Sequence, residues 1–384
     1  MKELRFWALP DAGFGTFSLL REHLALFCRD HPDIRVSISV GTTTALWDHL
    51  FRFLKRPKEL PRPDILQIPS HWTASLAHLG LLQDLRELDG RLPGPEPLFA
   101  VPWWMEMRVL YYRKDLFRKL GLREEALSAW DGLREACRTL AEAGGPCGSV
   151  PIANPNPRRG ISLTDVAPCL WSRGADLFAK DHTRTLLQRP DARAGVADYF
   201  DLIASGWMPL SGTNGLAPGD LFEGAAAMQF SGRLPPKRAA SGEIGVVPFP
   251  STGTEPATVA SGQSLAVLRG SDVAQEALGL LRSLTEPARA SAYAAAIGAF
   301  APTEDGLAQG LEAFPELSPA FERSQGFART LPMVRVMGTL ERVFERSMDR
   351  LLREVSRGAY APDLLHQELV HSGAEMDYVL GLYL

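Results

Sequence analysis

The strict alternation Ile34, Val36, Ile38, Val40 constrains this chain most, because a period of two suits a strand with one buried face and no helix. Stretches of the other period flank it. Before it, Phe17, Leu20, Leu24 and Phe27 recur at helical spacing and stop at His31-Pro32. After it, the loop Gly41-Thr42-Thr43-Thr44 leads into a helix carrying Leu46, Leu50, Phe53 and Leu54. An apolar run over residues 4–9 precedes the first helix and ends at Pro10. Another over residues 64–68 is set off by Pro61 and Pro63 on one side and Pro69-Ser70 on the other. A helix through Leu76 and Leu79 then ends at Gly80. This β-α-β-α-β-α order predicts a largely parallel sheet covered by helices.

At 384 residues the chain exceeds what one ordinary core serves, so two domains are expected. Charged residues make up 22% and the formal net charge is −4, with no basic run that could track a phosphate backbone; a nucleic-acid partner is excluded. No apolar stretch approaches the roughly 18 residues of a membrane span. The longest, around residues 292–301, is broken by Gly298. Met1-Lys2-Glu3-Leu4 leads straight into the first strand without an apolar leader. Two expectations follow: the leader of an exported protein has been removed, or the protein works in the cytoplasm. Cys28 and Cys137 fall on apolar helix faces and are expected to be free; Cys137 and Cys147 are close enough in sequence to close a short loop.

The middle of the chain has a different texture. In residues 101–122 the pair Trp103-Trp104 gives way to Glu106 and the extended apolar run Val109-Leu110-Tyr111-Tyr112. Lys114-Asp115-Leu116-Phe117 then opens a helix that stops at Gly121. Aromatic rings beside one carboxylate suit a many-hydroxyl small molecule: the ring packs on C–H surface and the carboxylate accepts from hydroxyls. Ser128-Ala129-Trp130-Asp131 reads as a capping box opening a helix with the stripe Leu133, Ala136, Cys137 and Leu140. Residues 153–160 form a polar loop, and helices follow through Leu170-Trp171 and residues 199–203. Strands are expected over residues 245–250 and 264–268, and the rest is mainly helical.

Several stretches together resemble the family 1 extracellular solute-binding proteins of ABC importers, the group that includes maltose-binding protein. They are Phe6-Trp7, residues 27–36 (FCRDHPDIRV), residues 63–82 (PDILQIPSHWTASLAHLGLL), residues 101–122, residues 222–232 (FEGAAAMQFSG) and residues 245–270. The resemblance implies an α/β periplasmic-binding-protein fold of type II. Each of its two lobes is a mixed, mainly parallel sheet flanked by helices, and several crossing strands form the hinge. One lobe is expected to be 1–104 plus 260–299 and the other 105–259 plus 300–384, with the ligand cleft between them. Carried over by position, the resemblance places Asp11, Thr43, Thr44, Ser70, His71, Glu106, Gly262 and Gln263 at the ligand. Trp7, Trp47, Trp72, Trp103 and Trp104 fall near expected strand ends, where ligands collect in open α/β sheets, and as a set they favour a sugar-like solute. After Ser231-Gly232 the family often has a stacking tryptophan. Here Arg233-Leu234-Pro235-Pro236 follows, which leaves two alternatives: stacking by Trp171 or Trp207, or a solute other than a conventional sugar, with Arg233 offering a fork for the anionic group of a phosphorylated polyol or acidic sugar.

The implied partners are a carbohydrate-like solute and ABC permease subunits, the chain acting as a monomer in the periplasm or at the cell exterior. A cytoplasmic ligand-sensing protein on the same fold is the alternative. A dinucleotide-binding enzyme is less favoured: Gly13-Phe14-Gly15 follows a strand, but Ser18 stands where a third glycine belongs and no acidic residue closes the second strand. No nucleophile elbow, HExxH or Walker loop is present, so neither catalysis nor a cofactor or metal is expected.

Overall fold

The computed structural model describes all residues except 11–13, 57–58, 93, 145–149, 154–159, 210–220, 237–241, 254 and 384. The chain forms two compact units. Unit 1 is Met1–Glu106, Ser261–Glu312 and Pro332–Gly338; unit 2 is Met107–Ala260, Ala313–Leu331 and Thr339–Leu384. The sequence placed the changeovers after residues 104, 259 and 299. They fall after 106, 260 and 312, and the chain re-enters unit 1 once more at Pro332–Gly338. Met105 and Phe300 exchange both backbone hydrogen bonds at 2.8 Å, which keeps the chain beyond Gly298 in unit 1.

Unit 1 opens with β1 (Lys2–Ala8), α1 (Phe14–Asp30), β2 (Ile34–Val40), α2 (Thr43–Lys55), β3 (Ile65–Pro69), α3 (Thr73–His78), α4 (Leu85–Leu88) and β4 (Val101–Met107). Unit 2 continues with β5 (Val109–Arg113), α5 (Lys114–Leu120), α6 (Trp130–Glu142), β6 (Val150–Ala153), α7 (Leu163–Ser172), α8 (Pro190–Ala204), β7 (Ala226–Ser231) and β8 (Ile244–Pro248). The long β9 (Thr258–Val267) carries the chain back to unit 1, where α9 (Ala274–Leu284), α10 (Pro287–Ala296) and α11 (Gly306–Leu311) follow. In unit 2 come α12 (Ser318–Gln325) and β10 (Ala328–Arg329), and then α13 (Met337–Ser356) and α14 (Pro362–Gly381) complete the chain. No described helix is long and apolar enough to cross a membrane.

In unit 1, β1 runs parallel to β2 in register Lys2↔Ile34 to Ala8↔Val40, and parallel to β3 at Phe6↔Ile65. β9 joins β3 antiparallel, from Ile65↔Val267 to Pro69↔Gln263. The period of two sorts the core between the two faces. Leu4, Phe6, Ile65, Leu265 and Val267 pack with Leu20, Leu24 and Phe27 of α1 and with α9 and α10; Ile34 joins this core, with Val36 and Ile38 packed against it. Leu66, Ile68, Ala266 and Leu268 pack on the other side with Leu46, Leu50 and Leu76. β3 is buried at all five positions, which is why it reads as an unbroken apolar run.

In unit 2 the sheet order is β6-β7-β5-β8. β5 lies antiparallel to both neighbours, while β6 and β7 are parallel. All ten residues of α7 are buried. The capping box expected at Ser128 does not form. Residues Glu124–Ser128 make a 3₁₀ turn in which Ser128 Oγ donates to the Glu125 carbonyl at 2.7 Å, and α6 starts from Ala129 with no side-chain cap. The box instead opens α7: Ser162 N–H donates to Asp165 Oδ2 at 2.8 Å, and the serine hydroxyl completes it. Cys137 is free and fully buried on α6, and Cys169 is free on α7. Burial pushes both thiols up. Cys147, the other half of the possible disulfide, lies outside the described residues.

Candidate functional site

In unit 1 the carboxyl ends of β1, β2 and β3 fall along one edge of the sheet, and β9 enters antiparallel at that edge. Register therefore gathers polar groups distant in sequence. Ser70 directly follows β3, and its Oγ lies 2.9 Å from Ser264 Oγ on β9. Gln263 pairs with Pro69, the one β3 residue without an N–H. Its Oε1 is enclosed and meets no donor among the described residues. Next along β9, Gly262 lies so close to β4 that a Cβ there would collide with the Trp104 carbonyl oxygen. Ser261 Oγ then donates to Glu106 Oε1 at 3.2 Å. Ser70, Gln263, Gly262 and Glu106 are thus drawn together, with Ser261 added to them.

The loops at that edge are held by hydrogen bonds between side chains and backbone. Gln67 is fully buried, and its Oε1 accepts from Leu9 N–H at 2.9 Å, fixing the exit of β1. Thr42 Oγ1 accepts from Ala45 N–H at 3.1 Å and caps α2, whose first residues Thr43 and Thr44 are half-buried. His71 is half-buried in the 3₁₀ turn after Ser70. Trp7, near the end of β1, is half-buried with its ring 4.7 Å from that of His49. A Cβ on Gly41 would come within 2.8 Å of Trp7 Cζ2. The Trp7 Nε1 is enclosed and meets no acceptor among the described residues. Asp11 lies outside the described residues.

Four of the strand-end tryptophans are core instead. Trp103 is fully buried and stacks on Tyr293 with centroids 4.1 Å apart. Trp47 packs edge-on to Trp72 at 4.8 Å and beside Phe51, with the Gly338 backbone against its ring. Trp72 and Trp104 are buried as well. Nearness to a strand end says nothing about which way a ring points, and large apolar rings go inward where the core has room.

Unit 2 holds Arg233, Trp171 and Trp207, the last half-buried beyond α8. Arg233 is half-buried just after β7, its backbone N–H donating to Ser231 Oγ at 3.0 Å. Trp171 is buried on α7, and its Nε1 donates to Asp176 Oδ1 at 3.2 Å. Arg329 and Asp176 around it were not anticipated, and no motif marks them. Ser261 could have been found, because alternation puts it on the same face of β9 as Gln263. A carboxylate flanked by hydroxyls and an amide can exchange hydrogen bonds with a polyhydroxylated solute. Among the described residues no group of three or more His, Cys, Asp or Glu side chains converges as a metal site would.

A family model for bacterial extracellular solute-binding proteins matches residues 15–290. No curated protein matches the chain. Solved structures do. An ABC substrate-binding protein of Listeria monocytogenes in complex with cycloalternan has a TM-score of 0.80 at 16% identity, over 99% of each chain. Maltose-bound MalE3 of T. maritima has a TM-score of 0.77 at 21% identity, over 99% of this chain and all of that one. A solute-binding protein of Thermotoga lettingae bound with α-D-tagatose has a TM-score of 0.76 at 16% identity, with the same coverage. At these identities the likeness is one of fold.

Proposed function

We propose, from the premise that the chain belongs to the bacterial extracellular solute-binding protein family, that it is the solute-capturing receptor of an ABC importer and that its solute is a carbohydrate. The observation that carries this is the polar cluster on unit 1: Glu106 accepts from Ser261, and Gln263, on the same face of β9, has an Oε1 that meets no donor among the described residues. A carboxylate, a hydroxyl and an amide grouped in this way match a sugar's hydroxyl pattern better than a single charged or apolar group. The solved structures with bound cycloalternan, maltose and tagatose favour the same class of solute.

In this reading Trp7, Thr43, Thr44, Ser70, His71, Glu106, Gly262 and Gln263 contribute from unit 1, and Trp171 and Arg233 from unit 2. Binding is reversible, without turnover, and the two units are lobes that close on the solute. The receptor works as a monomer outside the cytoplasmic membrane and hands its cargo to permease subunits. The test is a calorimetric screen of neutral and acidic mono- and oligosaccharides, followed by recovery of the bound compound. Saturable binding with the compound recovered unchanged supports the reading; a chemically altered product, or no binding across the screen, refutes it.

A further inference from the structure

The indole of Trp171 in unit 2 is not open. Asp176, four residues beyond the end of α7, has one oxygen committed twice: Oδ1 accepts from Leu177 N–H at 2.8 Å and from Trp171 Nε1 at 3.2 Å. Its other oxygen, Oδ2, accepts from Arg329 Nη2 at 2.6 Å. That bond sets the guanidinium over the indole, 4.5 Å from the ring centroid. Arg329 is aimed from its backbone too, since β10 pairs it with Val259, two residues before Ser261 on β9. Trp171 is only 3% exposed, whereas the side chains of Arg329 and Asp176 are 46% and 42% exposed. The guanidinium therefore lies between ring and solvent.

Resting on the reading of the chain as a carbohydrate receptor, we propose that Arg329 is a specificity-determining cover on Trp171. The indole is a stacking face for a pyranose ring, and it is reached only when the guanidinium slides aside. Asp176, pinned by the Leu177 N–H, is the positioning residue that holds the cover in place. The contact that must be given up is a cation–π pair reinforced by an exposed ion pair, both weak where water competes. A solute with a broad apolar ring face can displace it, while a small polyol without such a face cannot recover the loss. The cover thereby sorts ring-bearing carbohydrates from simple polyols.

The experiment compares the wild type with R329A, D176N, W171F and R329A/W171F in two measurements. Acrylamide quenching reads the accessibility of Trp171 without any ligand. R329A should gain a quenchable component that disappears in R329A/W171F, and D176N should gain part of it. Calorimetry with neutral mono- and oligosaccharides reads the consequence. R329A should bind the pyranosides that the wild type binds roughly three- to thirtyfold more tightly, and R329A/W171F should lose that gain. An unchanged quenching profile in R329A overturns the cover, whatever the ligand. Equal or weaker pyranoside binding by R329A overturns its role in specificity. If the wild type binds no carbohydrate, the receptor reading fails, and quenching still decides whether Arg329 covers the ring.

Discussion

Glu106 and Ser261 face each other across two strands that each carry the chain from one unit to the other, and a carboxylate there must keep polar partners. Glu106→Ala should weaken carbohydrate binding by roughly 1.5–3 kcal/mol, the usual worth of hydrogen bonds to a charged group. Melting should stay unchanged, because Glu106 is only half-buried. Calorimetry beside a thermal melt separates the two effects, and normal binding by the variant would remove Glu106 from the site. His23 and His49 both lie in the interior. Burial holds both imidazoles below their ordinary 6.5; Arg289 adds to this at His23, and the Pro61 carbonyl partly opposes it at His49. Above 6.5 both groups are neutral whether the chain is folded or not. As pH falls through 6.5 the unfolded chain takes up protons that the folded chain refuses, so stability declines. Melting temperature should therefore drop between about pH 7 and about pH 5, and H23L/H49Q should flatten that drop. An equal slope in the double variant would place the sensitivity elsewhere.

At the scale of elements, β4 and β9 touch where Gly262 meets Trp104. Gly262→Ala forces a methyl group against a backbone oxygen that cannot swing away, and should cost roughly 1–3 kcal/mol in urea denaturation. A neutral result would contradict this close approach of the two strands. Arg108 Nη1 donates to Asp165 Oδ1 at 3.0 Å and to the Thr164 carbonyl at 2.9 Å, with both side chains buried. Arg108→Met strands a buried carboxylate and should destabilise the fold by about 3 kcal/mol or more. The elements themselves were largely legible. Strict alternation marked β2 to the residue, and the αL cap at Gly121 ended α5 as expected. β9 was harder. Its sequence TVASGQSLAV dilutes apolar residues with Ser, Gly and Gln where it crosses between units, so only its apolar end read as strand. Ser128 failed as a cap because its hydroxyl found a carbonyl in the preceding turn, a choice that depends on backbone geometry and not on residue type. Within the candidate site, the resemblance pointed to Ser70, Gly262 and Gln263, and strand register does bring these three to one edge of the unit 1 sheet. The site was not legible for the tryptophans, whose direction is set by the volume available in the core.

For the whole molecule, the chain changes units at five points, and α13 spans the last of them. So many covalent crossings favour a bending motion over free separation if the units close on a solute. Moving a population from mostly open to mostly closed needs on the order of 5 kcal/mol of differential affinity, within reach of a few hydrogen bonds and a stacked ring. Small-angle scattering should show a smaller radius of gyration at saturating carbohydrate, and an unchanged radius would describe a rigid binding module.

Reversible capture of a carbohydrate is decided by isothermal titration of the purified chain with neutral mono- and oligosaccharides. Saturable one-to-one binding of at least one pyranoside is expected near the micromolar range, about −8 kcal/mol. Titrations that stay flat across every carbohydrate, with the chain fully folded, would contradict it.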